Sequence, residues 1–175
     1  MRVDYIEARS EMRDSIDQNL INFVNSSGYE TVLIPNQFRE ETNKSKYKTN
    51  QLDLYLNSLG INGIVLSGGN NIGQFPKRDK TEYTLINYAL ERQIPLLGIC
   101  RGMQILAGWS GVGLKPIEGH VGKRLQLTGE ISQNVNSFHE FVISNCPKDF
   151  SILARCTKGT IQAISHQNLP WEGWM

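Results

Sequence analysis

Between residues 94 and 104 an apolar run, Ile94-Pro95-Leu96-Leu97-Gly98-Ile99, passes into Cys100-Arg101-Gly102-Met103-Gln104 with no loop between them. A short apolar run of this kind reads as a buried strand, with Pro95 confined to its start. Met103, Ile105, Leu106 and Ala107 follow at once as the apolar side of a helix. A strand that becomes a helix within one residue must turn sharply. Gly98 and Gly102, two residues either side of Cys100, remove the side chains that would obstruct the turn. The pattern is the cysteine form of the G-x-S-x-G nucleophile elbow, which presents its central side chain at the carboxyl end of a sheet, where open α/β folds bind ligands.

The rest of the chain supplies βα units around that elbow. Met12, Ile16, Leu20, Phe23 and Val24 recur at steps of three and four and predict an amphipathic helix ending at Asn25-Ser26-Ser27-Gly28. Tyr29 to Ile34 reads as a short buried strand stopped by Pro35, and the polar stretch from Asn36 to Asn50, with Arg39, Lys44, Lys46 and Lys48, as a surface loop. Leu52, Tyr55, Leu56 and Leu59 mark a second helix closed by Gly60, and Ile64-Val65-Leu66 a second strand leading into Ser67-Gly68-Gly69-Asn70. Asp79 with Glu82 has capping-box spacing, ahead of a third helix striped by Leu85, Ile86, Ala89 and Leu90.

Past the Gly-rich stretch from Gly108 to Gly122 the periodicity changes. Leu125 to Ile131, Val135 to Ile143, Ile152 to Cys156 and Thr160 to Ser165 read as strands, the last two joined as a hairpin by Lys158-Gly159. The expectation is an α/β fold: a doubly wound, mostly parallel sheet flanked by helices, extended by antiparallel strands in the C-terminal half. With 175 residues and no internal repeat or linker, one domain is the economical reading.

A free cysteine most often ends as an inert buried thiol, the reading that suits Cys146 and Cys156. The elbow sets Cys100 apart. A helix N-terminus stabilises a thiolate by only ~0.3–1 kcal/mol, so most of a thiol with pKa ~8.5 stays protonated at neutral pH without a histidine partner. A nucleophile that attacks a carbonyl also needs an oxyanion hole. The elbow supplies the Arg101 N–H, and Ser67-Gly68-Gly69 is the candidate for a second donor, since glycines permit close backbone approach. The same glycine-rich turn also has the composition of an anion-binding nest or an ordinary turn.

Composition bounds the partners. Eighteen Lys+Arg against 17 Asp+Glu give a formal net charge of +1, which offers no global field for nucleic acid or an anionic membrane. No apolar run approaches a membrane span, and the charged start MRVDYIEARSEMRD is unlike a signal peptide, so a cytoplasmic protein is expected. Three cysteines without C-x-x-C spacing indicate neither a disulfide framework nor zinc. No Gly-x-Gly-x-x-Gly, Walker-type or His-Glu-x-x-His pattern calls for a cofactor or metal.

Leu66-Ser67-Gly68-Gly69-Asn70, Arg78-Asp79 with Glu82, Leu97 to Gln104 (LGICRGMQ) and Val135-Asn136-Ser137-Phe138-His139, in that order, resemble the class I glutamine amidotransferase superfamily in its γ-glutamyl hydrolase-like (peptidase C26-like) branch. LGICRGMQ is the specific element, and the resemblance covers essentially the whole chain. It implies that Cys100 attacks the side-chain amide of glutamine or of a γ-glutamyl conjugate, and that the resulting thioester is hydrolysed. It further implies Gly69 and Arg101 as oxyanion donors, and Gly68, Gln104, Asn136, Ser137, Phe138 and His139 as the glutamyl-binding set. The family's general base is a histidine in a C-terminal Trp-His-Pro-Glu motif. Here the sequence reads Trp171-Glu172-Gly173-Trp174-Met175 where that motif is due to follow, and the opening strand expected before the first helix is reduced to RVDYIEAR. The expectation is one domain over residues 1–175, short of the first strand and of the His-Pro-Glu segment. Of the histidines present, His139 suits the pocket wall or a structural role, His120 a polar loop, and His166 the end of a strand; none reads as the base.

Three functions stand open. The R-D-x-x-E and LGICRGMQ pattern resembles self-contained hydrolases that release glutamate and an amine from a small γ-glutamyl substrate. Small relatives of this type also resemble enzymes of bacterial surface-polysaccharide and capsule gene clusters, including one acting on a γ-glutamyl nucleotide amidate. The second reading is a glutaminase subunit delivering ammonia to a synthase partner, and the third a catalytically silent binding protein of the same fold. A homo-oligomer is open under any of the three. Trp109, Trp171 and Trp174 read as packing, since no basic stripe accompanies them.

Overall fold

The computed structural model describes residues 1–38 and 51–175. Arg39, Lys44, Lys46 and Lys48, and with them most of the expected loop, lie outside the described residues. Among the described residues a seven-stranded mixed sheet carries the fold. Its strands are β3 (Ile64–Leu66), β4 (Leu96–Ile99), β6 (Lys123–Gly129), β7 (Asn134–Ser137), β9 (Phe150–Cys156), β10 (Ile161–His166) and β11 (Trp171–Trp174), and they lie in the order β3-β4-β11-β10-β9-β6-β7. β4 pairs in parallel with both β3 and β11, while the remaining four pairings are antiparallel. The α/β class and the antiparallel C-terminal extension agree with expectation, but among the described residues the parallel portion is confined to three strands. The sequence pattern hides this because β11, four residues of which two are tryptophan, lacks a recognisable alternation.

Helices α3 (Pro76–Arg92) and α4 (Arg101–Trp109) pack on the parallel strands, and α2 (Gln51–Leu59) packs against α3. Their apolar stripes meet there: Leu52, Leu56, Leu85, Ile86, Met103 and Leu106 join Ile64, Leu66, Leu96, Ile164 and Trp171 in the main core. Trp171 is fully buried and its indole N–H donates to the carbonyl of Ile94 at 3.0 Å, the packing role expected of it. A smaller cluster, Leu127, Ala154, Cys156 and Ala163, lies in the antiparallel half.

Several local expectations are corrected. Met12 and Ile16 do not belong to the first helix. Residues Arg2–Ile6 (β1) and Glu11–Ser15 (β2) form an antiparallel hairpin apart from the main sheet, and helix α1 spans Gln18–Ser26. Asp17 sets that start, its carboxylate accepting from the Asn19 N–H at 2.8 Å. Tyr29 to Ile34 forms no strand, because no described strand pairs with it; Ile34 packs on the core while Val32 and Leu33 are exposed. The third helix begins at Pro76, in the first-turn position that suits proline, so Asp79 and Glu82 lie inside it and form no capping box. Val135 to Ile143 is two strands, β7 and β8 (Phe141–Ile143), interrupted at Phe138–Glu140. The glycine-rich stretch contains a strand that was not expected, β5 (Leu114–Pro116), which pairs with β8. Among the described residues no helix is long and apolar enough to cross a membrane.

Candidate active site

Close packing of three elements builds the elbow. A Cβ on Gly98 would sit 2.6 Å from the Gly102 backbone, and one on Gly102 would sit 2.1 Å from the carbonyl oxygen of Leu66 on β3. Only glycines let α4 rise this close to the sheet. Cys100 occupies the N-cap position of α4 at φ 53 and ψ −108, outside the common regions for a side-chain-bearing residue. Such a conformation costs of order 1–3 kcal/mol and persists where its surroundings hold it. The Cys100 N–H donates to the carbonyl of Trp174 at the end of β11, and the Cys100 carbonyl accepts from the N–H groups of Met103 and Gln104.

Burial pushes the Cys100 thiol above its ordinary pKa, while the Arg101 N–H and the charge of Arg78 act the other way. The neutral thiol is the resting form at neutral pH, so attack needs a proton acceptor. Among the described residues no histidine hydrogen-bonds to the sulfur.

Cys100 opens into a cleft of about 170 Å3 that it shares with Gly69, Arg101, Gln104, Phe138 and His139. Six of the residues singled out in the sequence thus meet at one place. Gly68 stands directly behind them: a Cβ there would lie 3.5 Å from Cys100 Cβ. Gln104 is buried and its amide donates to the Phe141 carbonyl at 2.8 Å, which fixes its orientation. Phe138 is 68% exposed at the rim. Ser137 is buried one layer back, 3.4 Å from His139 Nδ1, and Asn136 is exposed on β7 opposite Arg124, outside the cleft lining.

His139 and His120 are a buried pair, with Nε2 of the first 2.7 Å from Nδ1 of the second. Burial and the neighbouring His120 push His139 down to about 4, and burial with Lys158 nearby lowers His120. Both rings are neutral at pH 7, and both ring nitrogens of His139 face protein groups. His166 accepts the N–H groups of Asn168 and Leu169 through Nδ1, closing the turn before β11.

The cleft is also lined by Asn71, at the end of the glycine-rich turn, and by Val121 and Glu140, which the sequence reading missed. Among the described residues Glu140 is the one carboxylate on that lining. It follows His139 directly in sequence, but no residue-type pattern marks it. Also unforeseen was the use of Arg78, Asp79 and Glu82. The Arg78 side chain is fully buried and donates to Glu82 at 2.8 Å and to the carbonyls of Ser67 and Gly68 at 2.9 Å each. The Arg101 guanidinium, also buried, pairs with Asp79 and with the other oxygen of Glu82. Asp79 additionally accepts from the Gly73 N–H at 2.9 Å, tying the loop before α3 to the same cluster. Burial brings both guanidinium groups down to about 10, which leaves them charged at neutral pH.

Comparison with known proteins shows the family. The family model of class I glutamine amidotransferases matches residues 10–174. Gamma-glutamyl-CDP-amidate hydrolase of Campylobacter jejuni is 36% identical over 113 residues, 61% of this chain and 56% of that protein. A glutamine-hydrolyzing GMP synthase subunit of Methanothrix thermoacetophila is 28% identical over 121 residues, 63% of each chain. The chain therefore spans less than two thirds of the length of either relative. Among solved structures, a glutamine amidotransferase from Thermotoga maritima superposes with a TM-score of 0.65 over 89% of this chain and 67% of its own, at 17% identity. A putative GMP synthase subunit from Thermoplasma acidophilum gives 0.60 over 70% and 64%, at 24% identity. The chain belongs to the class I glutamine amidotransferase family.

Proposed function

We propose that this protein is a cysteine hydrolase of γ-glutamyl amides. The observation that carries the reading is the shared cleft: a strained Cys100 on an elbow, with the backbone of Gly69 and Arg101 on the same lining. In this reading the Cys100 sulfur gives up its proton and attacks the γ-carbonyl carbon, and the oxygen takes the negative charge between the N–H groups of Gly69 and Arg101. The C–N bond then breaks and the amine leaves with a proton. Water attacks the thioester, the C–S bond breaks, and glutamate is released with the thiol restored. Gln104, Phe138 and His139 frame the glutamyl group, and Glu140 offers a carboxylate suited to its α-ammonium. β11 delivers its carboxyl end beside Cys100, where the Trp174 carbonyl accepts from the Cys100 N–H and holds the elbow in place.

The Campylobacter relative supports a γ-glutamyl nucleotide amidate as one substrate to try. The resemblance to enzymes of bacterial capsule gene clusters adds to the proposal a cytoplasmic role in surface-polysaccharide assembly. The archaeal GMP synthase subunits favour a second reading, a glutaminase that hands ammonia to a synthase. Incubating full-length protein with L-glutamine, simple γ-glutamyl amides and a γ-glutamyl nucleotide amidate separates them. Glutamate release from amides without any partner, abolished in Cys100→Ala, is the expected result. Turnover retained in that variant sinks the proposal; turnover of glutamine alone, rising when a synthase is added, moves it to the second reading. An L-glutamine chloroketone that leaves Cys100 unmodified would favour a silent binding protein.

A further inference from the structure

Two backbone N–H groups on different elements make a hole only if something fixes the distance between them. Arg101 sits on α4, whereas Gly69 lies in the turn after β3, at φ +100, where a side-chain-bearing residue is strained. The buried cluster of arginines and carboxylates joins the two. Arg78 holds the carbonyl oxygens of Ser67 and Gly68, both at 2.9 Å. In a planar trans peptide the carbonyl and the next N–H point in opposite directions. With the Gly68 carbonyl turned to the buried guanidinium, the Gly69 N–H must turn away from it, toward the cleft that Gly69 lines. Arg78 stands close behind: a Cβ on Gly69 would lie 3.4 Å from its Nη1. The turn is latched further by Asn70, whose Oδ1 accepts from Arg78 at 2.9 Å and from the Val3 N–H at 2.7 Å.

Glu82 then links this half of the hole to the other. One of its oxygens accepts from Arg78 Nε, and the second from Arg101 Nη1. Each guanidinium is fully or almost fully buried, and so is the carboxylate between them. A buried, doubly engaged carboxylate cannot move without stranding a charge, so the bridge is stiff. We propose that Arg78 and Glu82 are positioning residues that hold the two oxyanion donors, the N–H groups of Gly69 and Arg101, at a fixed separation. The inference rests on the hydrolase reading above for its chemistry, but the hole can be assayed separately.

The discriminating variant is Arg78→Lys, which keeps the charge beside Glu82 but cannot also grip both carbonyls and Asn70. Glu82→Asp, too short to span both guanidinium groups, carries the same test if the first fails to fold. Two probes are compared on full-length protein. An N-acyl γ-glutamyl aldehyde adds to Cys100 as a hemithioacetal, whose oxygen occupies the hole. Iodoacetamide alkylates the same sulfur with no oxyanion formed. Removing a hole donor outright costs about 10²–10³-fold in rate, so misaiming one should weaken aldehyde binding by about 10–100-fold, with the alkylation rate unchanged within about twofold. Where the parent protein hydrolyses amides, kcat should fall by a similar factor with KM within about threefold. Aldehyde affinity kept in the variants, or aldehyde affinity and alkylation falling together, overturns the proposal. A parent protein that binds the aldehyde through this network but hydrolyses no amide would overturn the hydrolase reading instead.

Discussion

Cys100 is pulled two ways, and the balance has a measurable sign. Burial disfavours the thiolate, the Arg101 N–H and the Arg78 charge favour it, and burial wins, so its pKa lies above the ordinary thiol value. Raising an acid's pKa holds it in the protonated form to higher pH; the reactive thiolate is therefore a few per cent or less at pH 7, given an ordinary value of ~8.5. Iodoacetamide labelling of the 175-residue chain should accelerate about tenfold per pH unit from pH 7 upward and still be rising at pH ~8.5. A plateau already reached at pH 7 would mean that a cation unaccounted for holds the thiolate. At this scale the sequence is most legible where geometry leaves one residue type: Cys100 between its glycines, and Gly69 where φ is positive. It is least legible at Val121 and Glu140, whose place on the cleft depends on how distant segments fold back.

Elements show the same division between constraint and context. The strand–elbow–helix unit was legible because Gly98 and Gly102 answer a steric requirement that the structure displays, α4 lying against Leu66 of β3. Gly102→Ala tests it. The added methyl would meet a carbonyl oxygen at 2.1 Å, a backbone contact that no rotamer relieves, so α4 must back away from β3. Overpacking of this kind costs ~1–3 kcal/mol, and the variant should lose at least that much in urea denaturation. A loss under ~0.5 kcal/mol, the scale of a neutral surface change, would show that the helix has slack. By contrast, the spacing of Asp79 and Glu82 matched a capping box, yet Pro76 opens α3 three residues earlier and both carboxylates go to arginines. Short-range spacing could not show this, because Arg101 lies 22 residues from Asp79. β11 escaped notice for a related reason. Its strand character comes from neighbours on both sides, and Gly173 fits because its missing Cβ would crowd Met103 at 2.8 Å.

Across the whole molecule, a parallel half holding the elbow is joined to an antiparallel half through β10 and β11. β10 supplies Ile161 and Ile164 to the main core and Ala163 to the smaller cluster, so neither cluster keeps its packing if that strand departs. β11 has partners of both kinds, β4 in parallel and β10 antiparallel. Two packed clusters sharing a central strand should unfold together, and we propose that the chain behaves as one cooperative unit. The residues needed to test this are already placed. Trp109 and Trp171 pack edge to face at 5.7 Å in the parallel half, while Cys156, 2% exposed, sits in the smaller cluster with its sulfur 2.9 Å from Thr160 Oγ1. Tryptophan fluorescence and alkylation of Cys156, followed through the same urea series, should give coincident midpoints and equal slopes. Cys156 reacting at clearly lower urea, with fluorescence still native, would mean that the antiparallel half opens alone. The Cys100 cleft would then stand on the half that survives, with Phe138 and His139 supplied by the half that does not.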